Sequence, residues 1–166
     1  LMDEMNTNDF STVTFPGSSN SLEDLGGVAT ININGLSSSV SELHKHVLLN
    51  EPAILVCTET LVDEVKTLKR KCKVKNHRWI GEDSAKGGRG VACLVHNNIG
   101  ASTSKVYAQL DAFWLKVENK SNVFRIGCAC QPPGATNVLR SFNEHITDNI
   151  MVDEVFFLAG DFNARH

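Results

Sequence analysis

Short apolar runs rich in β-branched and aromatic residues alternate along this chain with stretches of helical periodicity. Val28 to Ile33 (VATINI) predicts a first strand, closing on Asn32-Ile33-Asn34-Gly35. Val40, Leu43, Val47 and Leu48 then recur at helical spacing, with Ser39 and Glu42 placed as a capping box and Pro52 as the stop after about Asn50. Ala53 to Cys57 (AILVC) reads as a second buried strand. Leu61, Val65 and Leu68 allow a short helix between Leu61 and Cys72. Trp79-Ile80 opens a further strand, followed by Val91 to Val95 (VACLV), then Ala112 to Val117 and Val123 to Cys130 as a hairpin. Pro132-Pro133-Gly134 ends that hairpin sharply. A helix from about Asn137 turns Val138, Leu139, Phe142 and Ile146 inward and returns the chain to a last strand, Val155 to Leu158, whose unbroken apolar run predicts burial on both faces. Strands alternating with helices in this way predict an α/β architecture.

Residues 1 to 25 differ: Asn, Ser, Thr, Gly and acidic residues dominate, which predicts a flexible tail ahead of one domain over 26–166. A start at Leu1 rather than Met suggests a piece of something longer. The formal net charge of -3 argues against binding nucleic acid by bulk electrostatics, yet leaves room for an enzyme that grips phosphate through a metal. No apolar run has the length of a membrane span, and the N-terminal residues show no secretory signal. The five cysteines form no CxxC pair and lie near no His cluster, which argues against zinc and for a reducing compartment, nucleus or cytoplasm. Lys66, Lys69, Arg70, Lys71, Lys73, Lys75 and Arg78 make a basic run that reads either as a DNA-backbone or nuclear-import patch or, more plainly, as a solvated face. Lys86 to Gly90 (KGGRG) resembles a phosphate cradle but lacks the GK[ST] ending. Its plainer reading is a Gly-rich connection into the next strand.

The candidate chemistry lies at strand ends. Asn32 ends VATINI, Glu59 follows AILVC, and Asp161 and Asn163 follow VFFLA. Gly, Asp and Asn are also ordinary turn formers, so GDFN alone reads equally as a strand-to-turn transition. Carboxylates and amides converging at one edge of a sheet form a hard, oxygen-rich set. That chemistry suits Mg²⁺, which takes one or two carboxylates and keeps water and substrate phosphate as its other ligands.

In order and spacing, INING, CTET, GGRGVACLV, CACQPPG and LAGDFNARH resemble the endonuclease/exonuclease/phosphatase superfamily. The likeness is greatest to the AP-endonuclease-like domain of non-LTR, LINE-type retrotransposons, and it covers Val28 to His166. The resemblance implies a DNase I-like α/β sandwich and Mg²⁺-dependent phosphodiester hydrolysis. It further implies double-stranded target DNA as substrate and a reverse transcriptase domain in the parent polypeptide. By the same resemblance, Asn32 helps hold the site and the attacked phosphate, Glu59 binds Mg²⁺, Asp161 orients or deprotonates the attacking water, and Asn163 contacts a phosphate oxygen. Asn34 falls near the metal.

Two departures qualify the expectation. Cys130 stands where the family motif carries a Tyr, and a thiol is a shorter and weaker donor than a phenol. The family domain also continues past GDFN into a Ser-Asp-His motif that carries the catalytic His, and His166 does not fit that motif. The expectation is therefore a C-terminally truncated fold, the first sheet and its helices only, with an apolar face exposed and no turnover as given. The alternatives are a catalytically silent relic or interaction fragment of the same fold and, further off, an inositol or sugar phosphatase.

Overall fold

The structure, a computed structural model, describes residues 11–13, 27–84, 87–106, 111–119, 122–132, 137–149 and 155–162. Among these residues the strands are β1 (Ser11–Val13), β2 (Val28–Asn32), β3 (Ile54–Thr58), β4 (His77–Ile80), β5 (Val91–His96), β6 (Gly100–Lys105), β7 (Ala112–Asn119), β8 (Asn122–Cys130) and β9 (Val155–Asp161). The helices are α1 (Leu36–Asn50), α2 (Val65–Lys71) and α3 (Asn137–Asn149).

Period-two alternation decides the layering. In β3, Ile54 and Val56 face one way and Leu55 and Cys57 the other; in β7, Phe113, Leu115 and Val117 oppose Ala112 and Trp114. The strands form two sheets, ordered β1-β2-β3-β5-β4 and β6-β7-β8-β9. Val56, Cys93 and Val95 of the first pack against Leu115, Ile126 and Cys128 of the second in one shared core. The outer face of the first sheet is covered by α1 and α2 through Leu36, Leu43, Val47 and Leu68. That of the second is covered by α3 through Val138 and Phe142, the latter edge-on to Trp114 at 5.0 Å. The result is a four-layer α/β sandwich.

The expectation of one sheet with its helices is thereby corrected. The hairpin strands β7 and β8 do not extend the first sheet but found a second, because both of their faces are apolar and each needs its own cover. β6, the segment GASTSK, extends this second sheet as a polar edge of alternating exposure. Among the described residues β9 is likewise an edge strand, paired parallel to β8 and to no other, and Val155, Phe156 and Leu158 are exposed rather than buried on both faces. Phe157 alone of the four packs on the shared core. In α3, Leu139 points outward, while Val138 and Phe142 carry the contact.

Local corrections have local causes. α1 begins at Leu36, not after Ser39: Gly35 and Leu36 donate to the carbonyls of Glu59 and Thr60 at 2.7 and 3.0 Å, and Ser39 Oγ bonds the Ile33 carbonyl at 2.6 Å instead of capping. The helix ends at Asn50 on a left-handed cap at Glu51, whose N–H donates to the Val47 carbonyl at 2.8 Å, and Pro52 follows. Within the expected tail, β1 pairs antiparallel with β2; the other residues of 1–25 lie outside those described. The basic run is divided between surface and structure. Lys69, Arg70 and Lys71 are exposed in the last turn of α2, where cations suit the helix dipole, and Arg78 donates to the carbonyls of His96 and Ile99. Among the described residues no helix is long and apolar enough to cross a membrane.

Candidate active site

Parallel pairing of β2 with β3 ends both strands at one level, Asn32 opposite Thr58, so Asn32 and Glu59 leave the first sheet at the same edge. In the second sheet the parallel register ends on Cys130 opposite Asp161. The two edges meet. The Asn32 side-chain amide donates to Asp161 Oδ2 at 3.4 Å, a bond between residues 129 positions apart that joins one sheet to the other. Asn32 Oδ1 accepts the backbone N–H of Asn34 at 3.0 Å, which fixes the amide and holds Asn34 in the left-handed region at the exposed rim.

Glu59 is buried, at 9% exposure, and its backbone is left-handed with φ 52°. Leu61 shares that conformation at φ 50°. Two non-glycine residues so placed mark a loop held by its surroundings rather than by its own preference. The holding bonds are Ile33 to the Thr58 carbonyl at 3.1 Å on one side, and Thr60 and Leu61 to the carbonyls of Gly90 and Arg89 at 3.3 and 2.9 Å on the other. The Glu59 carboxylate forms an ion pair with the Arg89 guanidinium.

Cys130 is fully buried between these groups. Burial pushes its thiol up to about 11; a backbone hydrogen bond from Glu59 opposes that shift, and the carboxylates of Asp161, Glu59 and Asp111 reinforce it. Cys130 stands opposite Asp161 in the pairing of β8 with β9, and Asn32, which leaves the first sheet beside Glu59, bonds the same Asp161 carboxylate. Without a cation beside it the proton stays on sulfur at neutral pH, and Cys130 presents a neutral thiol to the rim. What remains for a cation is carboxylate and amide oxygen, a set that fits Mg²⁺ or Mn²⁺. Among the described residues no group of three or more His, Cys, Asp or Glu is placed to hold a metal ion, so a cation here would rest on at most two carboxylates with amide oxygen and water. Of the sequence candidates, Asn32, Asn34, Glu59, Asp161 and Cys130 are thus brought together. Asn163 lies outside the described residues.

The loop Gly87 to Gly90 is the Gly-rich connection into β5, and it does more than connect. It is a clasp that delivers Arg89 to Glu59. Asp111, buried just ahead of β7, anchors it by accepting the Gly90 N–H at 3.0 Å, and the Asp111 carbonyl accepts the Cys130 N–H at 2.9 Å. Neither Arg89 nor Asp111 emerged as a site residue from the sequence. A lone Asp in QLDAFW carries no motif, and its partner is 21 positions away.

No family model matches the sequence, and no curated protein matches it. Solved structures do. The endonuclease domain of TRAS1, a telomere-specific non-LTR retrotransposon, superposes with TM-score 0.63 at 14% identity, covering 83% of this chain and 60% of that one. AP endonuclease LMAP from Leishmania major gives 0.60 at 15% identity, over 82% of this chain and 55% of that one. A mannosyl-6-phosphatase from Bacteroides thetaiotaomicron gives 0.60 at 12%, over 84% and 66%. The chain shares the DNase I-like α/β fold of these structures. At these identities the matches speak to fold, and the chain spans 60% of the length of the retrotransposon domain. In this fold a sandwich of two sheets brings the Asn32 and Glu59 edge of one against the Asp161 edge of the other, the arrangement described above.

The thiols give this domain an expected pH dependence. Cys130, Cys72, Cys57 and Cys128 all have values raised from the ordinary 9.0, with burial the largest cause in each. Above that pH the unfolded chain releases these protons while the folded chain keeps them. The stabilisation they lend is complete below pH 9.0 and is lost as pH rises beyond it. Urea midpoints should change little between pH 8 and pH 8.5 and then fall as pH is raised past 9.0, and the fall should be shallower in Cys57→Ala/Cys128→Ala. An equal slope in that variant would assign the loss to other groups.

Proposed function

We propose that this chain forms the metal- and phosphate-binding part of a Mg²⁺-dependent phosphodiester hydrolase, a DNA endonuclease of a non-LTR retrotransposon. The observation that carries the reading is the Asn32–Asp161 bond, which sets an amide and a carboxylate from different sheets beside Glu59. Glu59 and Asp161 would hold the ion, which when bound would neutralise charge developing on the phosphate. Asn32 and Asn34 supply amide groups at the rim, where fixed donors stabilise a crowded oxyanion better than mobile water does. Asp161 accepts from Asn32 through one oxygen, which orients the carboxylate toward an attacking water. Asn163, by the likeness of GDFN to the family motif, would contact a phosphate oxygen. The parent polypeptide would carry a reverse transcriptase and nick double-stranded target DNA in the nucleus or cytoplasm; five free, buried thiols support a reducing compartment.

The 166 residues by themselves are proposed to bind metal and DNA without turnover. That reading is supported by the share of the retrotransposon domain they span and by Cys130 at the motif's Tyr position. The fold also hosts a sugar phosphatase among its matches, so an inositol or sugar phosphate is the second reading. The test is a Mn²⁺ titration followed by electron paramagnetic resonance, with a gel shift on supercoiled plasmid. Binding should weaken by about tenfold or more in Glu59→Gln and in Asp161→Asn, and plasmid should shift without being nicked. Affinity unchanged in both variants would overturn the metal reading. Nicking abolished by EDTA and by Asp161→Ala would overturn the silence of the chain while leaving its chemistry intact.

A further inference from the structure

The ion pair on Glu59 has a consequence for how the rim takes up metal. Side-chain exposure is 39% for Arg89 and 11% for Glu59, so the guanidinium reaches inward from solvent onto a carboxylate that is itself nearly enclosed. Its backbone is not free to wander. The Arg89 carbonyl accepts from Leu61 at 2.9 Å, and the next residue is bound through both its N–H, to Asp111 at 3.0 Å, and its carbonyl, to Thr60 at 3.3 Å. Gly88 and Gly90 are required for this docking: a Cβ on Gly88 would stand 2.6 Å from Asp111 Oδ1, and one on Gly90 would run into the Thr60 hydroxyl. The clasp therefore presents a cation to the very carboxylate that the metal reading assigns to the ion.

Two cations cannot neutralise one carboxylate oxygen at full strength. A guanidinium is broad, weakly hydrated and tethered, while Mg²⁺ is compact and demands close oxygen contact. We propose that Arg89 is the resident counter-ion of Glu59, occupying its carboxylate until a divalent cation displaces it, so that the two compete for the same oxygens. The proposal rests on the metal reading of the rim and adds a competitor to it. Metal binding then has a built-in cost, and it releases an arginine beside the place where a phosphate would bind. A buried carboxylate also stays paired in the metal-free protein, which an unpaired Glu59 at this depth would not be.

The test uses the whole chain and reads binding, not turnover. Mn²⁺ titrations are compared for the wild type, Arg89→Ala, Arg89→Lys and Arg89→Ala/Glu59→Gln, each checked for folding by circular dichroism. Arg89→Ala should bind about five- to tenfold tighter, Arg89→Lys should fall between, and the double variant should lose the gain. In the unaltered protein, the Arg89 Nε–H resonance should shift as Mg²⁺ is added and settle at a position typical of a solvated guanidinium. Equal or weaker Mn²⁺ binding by folded Arg89→Ala, or an Arg89 resonance that ignores saturating Mg²⁺, would overturn the competition while the metal site stood. Absence of Mn²⁺ binding in every form would instead bring down the metal reading, and this inference with it.

Discussion

Gly160→Ala should destabilise the chain by about 3 kcal/mol or more, the sum of a strained backbone and a steric clash. Gly160 has φ 141°, in the region that side chains avoid, and it lies opposite Ala129 in the parallel pairing of β8 with β9. A Cβ there would meet the Ala129 backbone, 2.9 Å from its carbonyl carbon and 3.0 Å from its nitrogen, as well as the carbonyl oxygen itself. Backbone in the middle of a sheet cannot swing aside as a flexible side chain can. For a domain of this size the loss corresponds to a fall in Tm of roughly 10 °C. Gly87 is the control. It too has positive φ, 75°, but a Cβ would meet nothing within 4 Å, so Gly87→Ala should cost only about 1 kcal/mol. Because Asp161 follows directly, Gly160→Ala should also break the Asn32–Asp161 bond and weaken Mn²⁺ binding, whereas Gly87→Ala should leave Asp161 in place. Equal costs for the two variants would show that β9 is not held against β8 as described.

The contrast between those glycines reflects what could be read from the sequence. GDF was legible as a break after an apolar run, and the position of a carboxylate just past it was enough to nominate Asp161. The same reasoning nominated Asn32 and Glu59, because parallel strands end at one edge and runs such as VATINI and AILVC declare themselves by their β-branched residues. What lay beyond reach was cooperation at long range. GASTSK has no apolar alternation to mark it, and it becomes a strand only because β7 offers it an open edge. The VFFL run has the composition of a doubly buried strand, yet among the described residues β9 has a neighbour on one side only. Ser39 and Glu42 have capping-box spacing, but the bonds that start α1 come from Glu59 and Thr60, delivered by another strand. Arg89 and Asp111 were missed for the same reason. Their roles are defined by partners 30 and 21 positions away, and neither residue type at its own position signals that partner.

Asp111→Ala should cost about 2 kcal/mol, because it strands a donor that the fold has already desolvated. Gly90 is buried, and its N–H points at Asp111 Oδ2; without that oxygen the amide must either go unpaired or pull the loop toward water. Pulling away would break the bonds from Thr60 and Leu61 and withdraw Arg89 from Glu59. Against this stands a relief term, since a carboxylate at 8% exposure is itself expensive to bury. Asp111→Asn separates the two effects. It removes the same charge but keeps an oxygen that can accept the Gly90 N–H, so it should cost less than about 1 kcal/mol. If the charge alone matters, the two variants will denature at the same urea concentration; if the anchor matters, Asp111→Ala will denature earlier. Metal binding discriminates further. Both variants lose one negative charge near the rim, which weakens any cation equally, but only Asp111→Ala frees Arg89 from its clasp. Mn²⁺ should therefore bind Asp111→Ala more tightly than Asp111→Asn, and the opposite order would mean that the clasp supports the metal rather than competing with it.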